Sequence, residues 1–152
     1  MEPIRTDVTV PAPPERAFEL FTDGMDSWWP REFSWSQEKL EEIGIEPREG
    51  GFAYERGPHG FLIHWGRVTS CEPPRRLVFT WQIAADRTPQ PDPGKASTVE
   101  VQFTAANGST RVWVEHGGWE RHGEGAREYR DDFEQAGAWP YALKRFAEAA
   151  AT

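Results

Sequence analysis

Residues 72–81, EPPRRLVFTW, contain the strand on which the predicted fold depends. The proline pair at its start ends the preceding strand, because proline cannot donate to a strand ladder. Leu77, Phe79 and Trp81 then occupy alternate positions, which is typical of a strand with one face on the core. This phase predicts that Trp81 points inward and that Thr80 lies on a solvated outer face. Thr80→Ala should therefore change the stability by only about 0.5 kcal/mol.

Alternating apolar residues predict further strands on both sides of this segment. We expect them at 4–10, 40–45, 52–56, 61–71, 98–103 and 111–116. The Asn107-Gly108 pair is a strong signal for a tight hairpin between the last two strands. Most of these strands follow one another through short turns, so the sheet should be antiparallel. The stretch 86–94, rich in proline and aspartate, is the best candidate for a mobile loop.

Two helical segments complete the pattern. Pro13-Pro14 can open a short helix after the first strand, and the C-terminal stretch 125–150 places Trp139 and Phe146 on one helical face. Pro140 should kink or restart this second helix. An antiparallel sheet with one apolar face needs a cover, which only the C-terminal helix is long enough to supply. We therefore predict one α+β domain over 1–152, a curved antiparallel sheet wrapped around a long C-terminal helix.

Charge and cysteine content narrow the classes of function. The chain has 152 residues and a formal net charge of -8, with no basic run, so we expect no nucleic-acid partner. The single cysteine, Cys71, excludes an internal disulfide and fits a reducing compartment. Without a signal peptide or an apolar stretch of membrane length, we expect a cytoplasmic protein with no membrane insertion. The sequence leaves open the oligomeric state, and a homodimer is among the alternatives.

The titratable residues give little support for catalysis or for a cofactor. The four histidines are scattered, and no two stand at a helical i, i+4 spacing, so we expect no metal and no cofactor. His116 has the inward phase of its strand, which favours a satisfied, semi-buried histidine over a ligand or a catalytic role. His122 lies in a polar, glycine-flanked loop. Glu115 is out of phase with His116 and should face solvent.

Several short motifs carry a resemblance to a known family. They are Trp28-Trp29-Pro30, residues 46–51 (EPREGG), residues 65–68 (WGRV), residues 72–81, Glu115-His116 and Trp139-Pro140. Together they span nearly the whole chain, which resembles the AHSA family, the homologues of the activator of heat-shock protein ATPase. This family belongs to the SRPBCC superfamily (START and Bet v-like proteins) of helix-grip folds. The resemblance implies a helix-grip fold with an apolar cavity between the sheet and the C-terminal helix.

The resemblance and the aromatic content together suggest a binding function. Eight tryptophans and nine phenylalanines either fill a dense core or line a pocket. We expect a small apolar or aromatic ligand in the cavity, with no catalysis. The alternative is a cyclase or dehydratase that uses His116 or Tyr129 as acid or base; a co-regulator of a chaperone ATPase is the third hypothesis. The candidate ligand-binding residues are Trp28, Trp29, Trp65, Phe79, Trp81, Val101, Phe103, Val114, His116, Tyr129, Trp139 and Leu143.

Overall fold

Seven antiparallel strands form one curved sheet in the computed structural model, which describes residues 1–152. The strands are β1 (Ile4–Val10), β2 (Glu42–Ile45), β3 (Phe52–Arg56), β4 (Leu62–Glu72), β5 (Arg76–Trp81), β6 (Ser97–Ala106) and β7 (Ser109–Gly117). Their order in the sheet is β1-β7-β6-β5-β4-β3-β2, so only β1 leaves the sequential order. The predicted α+β, helix-grip class is confirmed.

Three α-helices accompany the sheet: α1 (Pro14–Phe21), α2 (Ala126–Gln135) and α3 (Ala138–Ala150). The single long C-terminal helix that we expected is thus two helices. The chain breaks at Gly137, whose φ of 65° lies in the left-handed region that glycine tolerates. Pro140 falls in the first turn of α3, where a missing N–H removes no helical hydrogen bond. None of the helices is both long and apolar enough to cross a membrane.

The β6–β7 hairpin forms where the sequence predicts it. Asn107 and Gly108 have φ values of 52° and 84°, the pair of positive angles that a two-residue hairpin turn requires. Ala106 pairs with Ser109 at the closing position. This register continues inward and places His116 opposite Val99.

The inward phase of β5 is confirmed. Leu77 pairs with Val101 of β6, and Val101 pairs in turn with Val114 of β7. These side chains are at most 1% exposed and belong to one apolar core. At the α1 side of this core, Phe18 and Phe21 contact Phe103 edge to face, with ring centroids 5.3 and 5.8 Å apart. This end of the sheet–helix interface is filled by side chains.

The solvated outer face expected at Thr80 is wrong. Thr80 is only 6% exposed, and its hydroxyl makes two hydrogen bonds. The Oγ1 atom accepts from the backbone N–H of Arg67 at 2.9 Å and donates to Oε1 of Gln82 at 2.6 Å. The pairing of β4 with β5 shifts register between Val68 and Ser70. Near this irregularity the Thr80 hydroxyl supplies an acceptor to the Arg67 amide.

We predict that Thr80→Val lowers the free energy of unfolding by about 1–3 kcal/mol, because it removes the acceptor of the Arg67 amide and leaves the buried amide oxygen of Gln82 unpaired. Valine keeps the shape and the β-branch of threonine. Thr80→Ser, which retains the hydroxyl, is the matched control and should lower the free energy of unfolding much less. Urea denaturation of the three proteins measures the difference. Equal stability of the valine variant and the unsubstituted protein would contradict this role for the hydroxyl.

Candidate functional site

A cavity of about 660 Å³ lies between the sheet and the C-terminal helices. Its walls come from the segment after α1, from β2 to β5, from the loop that follows β5, and from α2 and α3. Of the 22 residues that line it, 14 are hydrophobic. The cavity is therefore an apolar pocket at the α2 end of the interface, opposite the end that Phe18 and Phe103 fill.

Four indole rings form the apolar wall of this cavity: Trp29, Trp65, Trp81 and Trp139. The Trp29 ring lies nearly parallel to that of Trp65, with centroids 6.1 Å apart, and is 5.8 Å from that of Trp139. Trp65 and Trp81, on the neighbouring strands β4 and β5, meet edge to face at 5.6 Å. Each ring packs against at least two of the others, so the four indoles form one connected aromatic cluster in the wall.

Five of the twelve candidate residues lie on the cavity, namely the four tryptophans and Tyr129. Seven do not line it: Trp28, Phe79, Val101, Phe103, Val114, His116 and Leu143. Apart from His116, these seven belong to the packed core. Trp28, for example, packs on Phe21 and Phe146, and its indole N–H donates to the carbonyl of Leu20. The aromatic side chains thus do both things that the sequence left open: they fill one end of the interface and line the other.

Tyr129 joins α2 to the sheet. Its hydroxyl accepts a hydrogen bond from the Trp81 indole N–H at 3.0 Å and donates one to the carbonyl of Ile83 at 2.8 Å. Burial raises the pKa of Tyr129 to about 12. The phenol therefore stays protonated at neutral pH and holds Trp81 and the loop after β5 in place.

His116 lies behind the cavity wall in a chain of buried hydrogen bonds. The Trp139 indole N–H donates to Nδ1 of His116 at 3.0 Å, so the ring proton of the neutral histidine is on Nε2. That proton is donated to the Ser97 hydroxyl at 2.8 Å. The hydroxyl can then donate to Nε2 of His122 at 2.8 Å, which also accepts from the Ser97 amide. Both ring nitrogens of His116 are therefore occupied.

Burial lowers the pKa of both histidines in this chain, and for His116 the nearby His122 adds to the effect. The fold therefore favours the neutral rings that the hydrogen bonds require. The contact between His122 and Ser97 could not be read from the sequence, because 25 positions separate the two residues.

Glu55 is a cavity residue that the sequence analysis missed. Its side chain is 0% exposed and lies in the wall beside the indoles. The carboxylate accepts hydrogen bonds from the backbone amides of Trp35 and Ser36, at 3.2 and 2.8 Å. The alternating positions of β3 could have identified Glu55 as an inward residue, because it lies on the same face of the strand as the fully buried Ala53.

Two segments meet at one side of the cavity. The Trp35 indole N–H donates to the carbonyl of Arg87 at 2.8 Å, and the Arg87 guanidinium donates to the carbonyl of Phe33 at 2.6 Å. The loop after β5 is thereby attached to the segment that follows α1. Within the stretch expected as a mobile loop, Pro89 pairs with Ile83 and Pro93–Lys95 forms a 3-10 turn.

Comparison with known proteins places this architecture. The sequence profile of the family described as "Activator of Hsp90 ATPase homolog 1-like protein" matches residues 11–151. Among solved structures, the anthrahydroquino-γ-pyrone synthase Txn09 is 34% identical, with 97% of this chain and 96% of that chain covered and a TM-score of 0.68. CalC, a self-sacrificing resistance protein from Micromonospora echinospora, is 26% identical, with coverages of 98% and 94% and a TM-score of 0.65.

A third structure shares the fold alone. Protein NE0264 from Nitrosomonas europaea is 13% identical, with 98% of this chain and 94% of that chain covered and a TM-score of 0.66. No protein of curated function matches the sequence.

We predict that the protein loses stability as the pH falls below about 6.5, the ordinary histidine value. The unfolded chain takes up protons on His116 and His122 in this range, whereas the folded chain resists protonation, so acid favours unfolding. His122→Gln keeps an acceptor for Ser97 and removes one titrating ring, and its stability should fall less steeply. Urea melts from about pH 5 to about pH 8 measure both slopes. Identical slopes for the two proteins would contradict the assignment of a neutral His122.

Proposed function

The chain belongs to the family of Activator of Hsp90 ATPase homolog 1-like proteins, and from this membership and the cavity we propose that it binds a planar, fused-ring aromatic molecule between the sheet and helices α2 and α3. The observation that carries the proposal is the cluster of four indoles in the wall of the cavity. Flat aromatic faces favour flat aromatic ligands, because stacking adds to the burial of apolar area.

The size and polarity of the cavity support a small-molecule ligand. Binding pockets in proteins typically enclose about 300–1,000 Å³ and are lined mainly by apolar side chains with a few polar groups. The present cavity, at about 660 Å³ with a hydrophobic majority among its lining residues, fits both criteria. A molecule of three or four fused rings would occupy most of this volume.

The more similar solved structures support the ligand class. Txn09, at 34% identity over nearly the full length, is named as an anthrahydroquino-γ-pyrone synthase, and that name describes a fused-ring aromatic product. CalC, at 26% identity, is named as a resistance protein. A relative at this distance is therefore not always described as an enzyme. We propose the ligand class of Txn09 for this chain and do not extend its reaction to it.

Binding without catalysis is favoured over the cyclase or dehydratase alternative. An acid–base catalyst needs a group that can reach the reacting atom and exchange a proton with it. The Tyr129 hydroxyl already donates to Ile83 and has a pKa raised to about 12. His116 is fully buried, with a partner on each ring nitrogen. The one proton of the Tyr129 hydroxyl and both ring nitrogens of His116 are therefore engaged within the protein. No feature of the cavity calls for a chaperone partner.

We predict that 1,8-dihydroxyanthraquinone raises the melting temperature and quenches the tryptophan fluorescence. A ligand that binds only the native state at a concentration of about 100 times its Kd should raise Tm by about 5–10 °C in a domain of this size. Quenching follows from contact between the ligand and the indoles of the cavity. The absence of both effects across a panel of fused-ring aromatics would refute the proposal.

A matched pair of variants locates the binding site. Ala84 lines the cavity, whereas Ala106 is exposed at the end of β6. Ala84→Phe should fill part of the cavity and abolish the shift in Tm, and Ala106→Phe should leave it unchanged. If the shift persists in Ala84→Phe, the ligand binds elsewhere on the protein.

A further inference from the structure

The charged residues around the cavity are almost all acidic. Five carboxylates and one guanidinium line it, which gives a formal charge of −4. They are Glu55, Asp86, Glu124, Glu128 and Asp132, with Arg87 as the cation. Neither lysine nor histidine is among the lining residues. Because low-dielectric walls concentrate the field of such charges, this cavity attracts cations and repels anions.

Glu55 contributes the least screened of these charges. It is fully buried in the wall, and its hydrogen bonds come only from the backbone amides of Trp35 and Ser36. No arginine or lysine forms an ion pair with it, although the chain forms nine such contacts elsewhere. Buried carboxylates are usually paired with a cation, because an isolated charge is costly to remove from water. A cation in the adjacent cavity would supply the missing partner.

Helix α2 adds two carboxylates on its cavity side. Glu128 and Asp132 stand one turn apart, at a spacing where like charges destabilise a helix, and both line the cavity. The other side of the same helix is arranged differently, since Arg130 there pairs with Asp131 and Glu134. The positive N-terminal end of α2 stabilises the negative charges of Glu124 and Glu128. It does not stabilise the charge of Asp132, which lies in the second turn of the helix.

The remaining features of the wall are also suited to a cation. Arg87, the one basic residue, has its guanidinium engaged with the carbonyl of Phe33. Four tryptophans line the cavity, and indole is the side-chain ring that attracts cations most strongly. Three features of the wall therefore favour a cation: the acidic side chains, a buried carboxylate without an ion-pair partner, and the indole cluster.

We propose that the aromatic ligand of this cavity carries a positive charge, as a protonated amine attached to the fused-ring system. This inference rests on the proposed function and specifies its ligand class. The rings stack on the indoles, and the ammonium group lies toward Glu55 and the acidic side of α2. Anionic aromatic molecules of the same size are rejected by the same charges.

Three anthracenes of matched shape and different charge test the inference: anthracen-9-ylmethylammonium, 9-anthracenemethanol and anthracene-9-carboxylate. Their Kd values are measured by isothermal titration calorimetry at low and at high salt. We expect the ammonium compound to bind about tenfold more tightly than the alcohol, and the carboxylate to bind most weakly. Salt should reduce the preference, because it screens the exposed carboxylates of α2.

Variants identify the source of the preference. The double variant Glu128→Gln with Asp132→Asn should lower the ratio of alcohol to ammonium Kd about threefold at low salt. Its Kd for the neutral alcohol should change much less than its Kd for the ammonium compound. Glu134→Gln removes an equal charge from the opposite side of α2 and is the matched control. Glu55→Gln should reduce the part of the preference that persists at high salt, with a urea melt confirming that the variant is folded.

The outcomes separate this inference from the proposed function. If none of the three compounds binds, the proposed function fails and the inference with it. If all three bind equally, or the carboxylate binds best, the cavity takes aromatic ligands but the inference is overturned. A preference for the ammonium compound that the double variant and Glu55→Gln leave unchanged also overturns it.

Discussion

The hydrogen bond from the Trp81 indole to the Tyr129 hydroxyl joins α2 to strand β5 of the sheet. Only one residue of α2, Ala126, is fully buried, so this helix does not pack into the sheet as α3 does. It is attached through Tyr129 and through Phe133, whose ring meets that of Trp81 edge to face at 5.6 Å. Because these contacts hold α2 above the indoles without filling the space between them, a cavity remains beneath the helix.

A second set of hydrogen bonds fixes the wall from behind. The indole N–H groups of Trp81 and Trp139 both donate to side chains of the protein, Trp81 to the cavity-lining Tyr129 and Trp139 to His116 behind the wall. Because these donors are satisfied within the protein, the two indoles contribute apolar ring atoms to the cavity wall. The buried chain through His116, Ser97 and His122 therefore serves the cavity by holding Trp139 in one orientation, without itself lining the cavity.

Strand periodicity predicted which face of the sheet the site lies on, but only five of the twelve candidate residues line the cavity. A period of two identifies the face of a strand, which is why Leu77, Phe79 and Trp81 were assigned inward correctly. It cannot tell which end of that face a helix fills. The break at Gly137 separates α2 from α3, and this separation leaves Trp81 on a cavity while Phe103 is in solid core.

Residues that act through distant contacts escaped the sequence analysis for a related reason. His122 meets Ser97 only because the 3-10 turn at Trp119–His122 brings the chain back over the start of β6. Thr80 is buried beside the register shift between β4 and β5, which strand alternation does not reveal. The packed end, with its interlocked phenylalanines, supplies the burial that stabilises the domain. The α2 end is consequently free to keep incomplete packing, an unpaired carboxylate and adjacent like charges, which are costs that a protein retains where it binds a ligand.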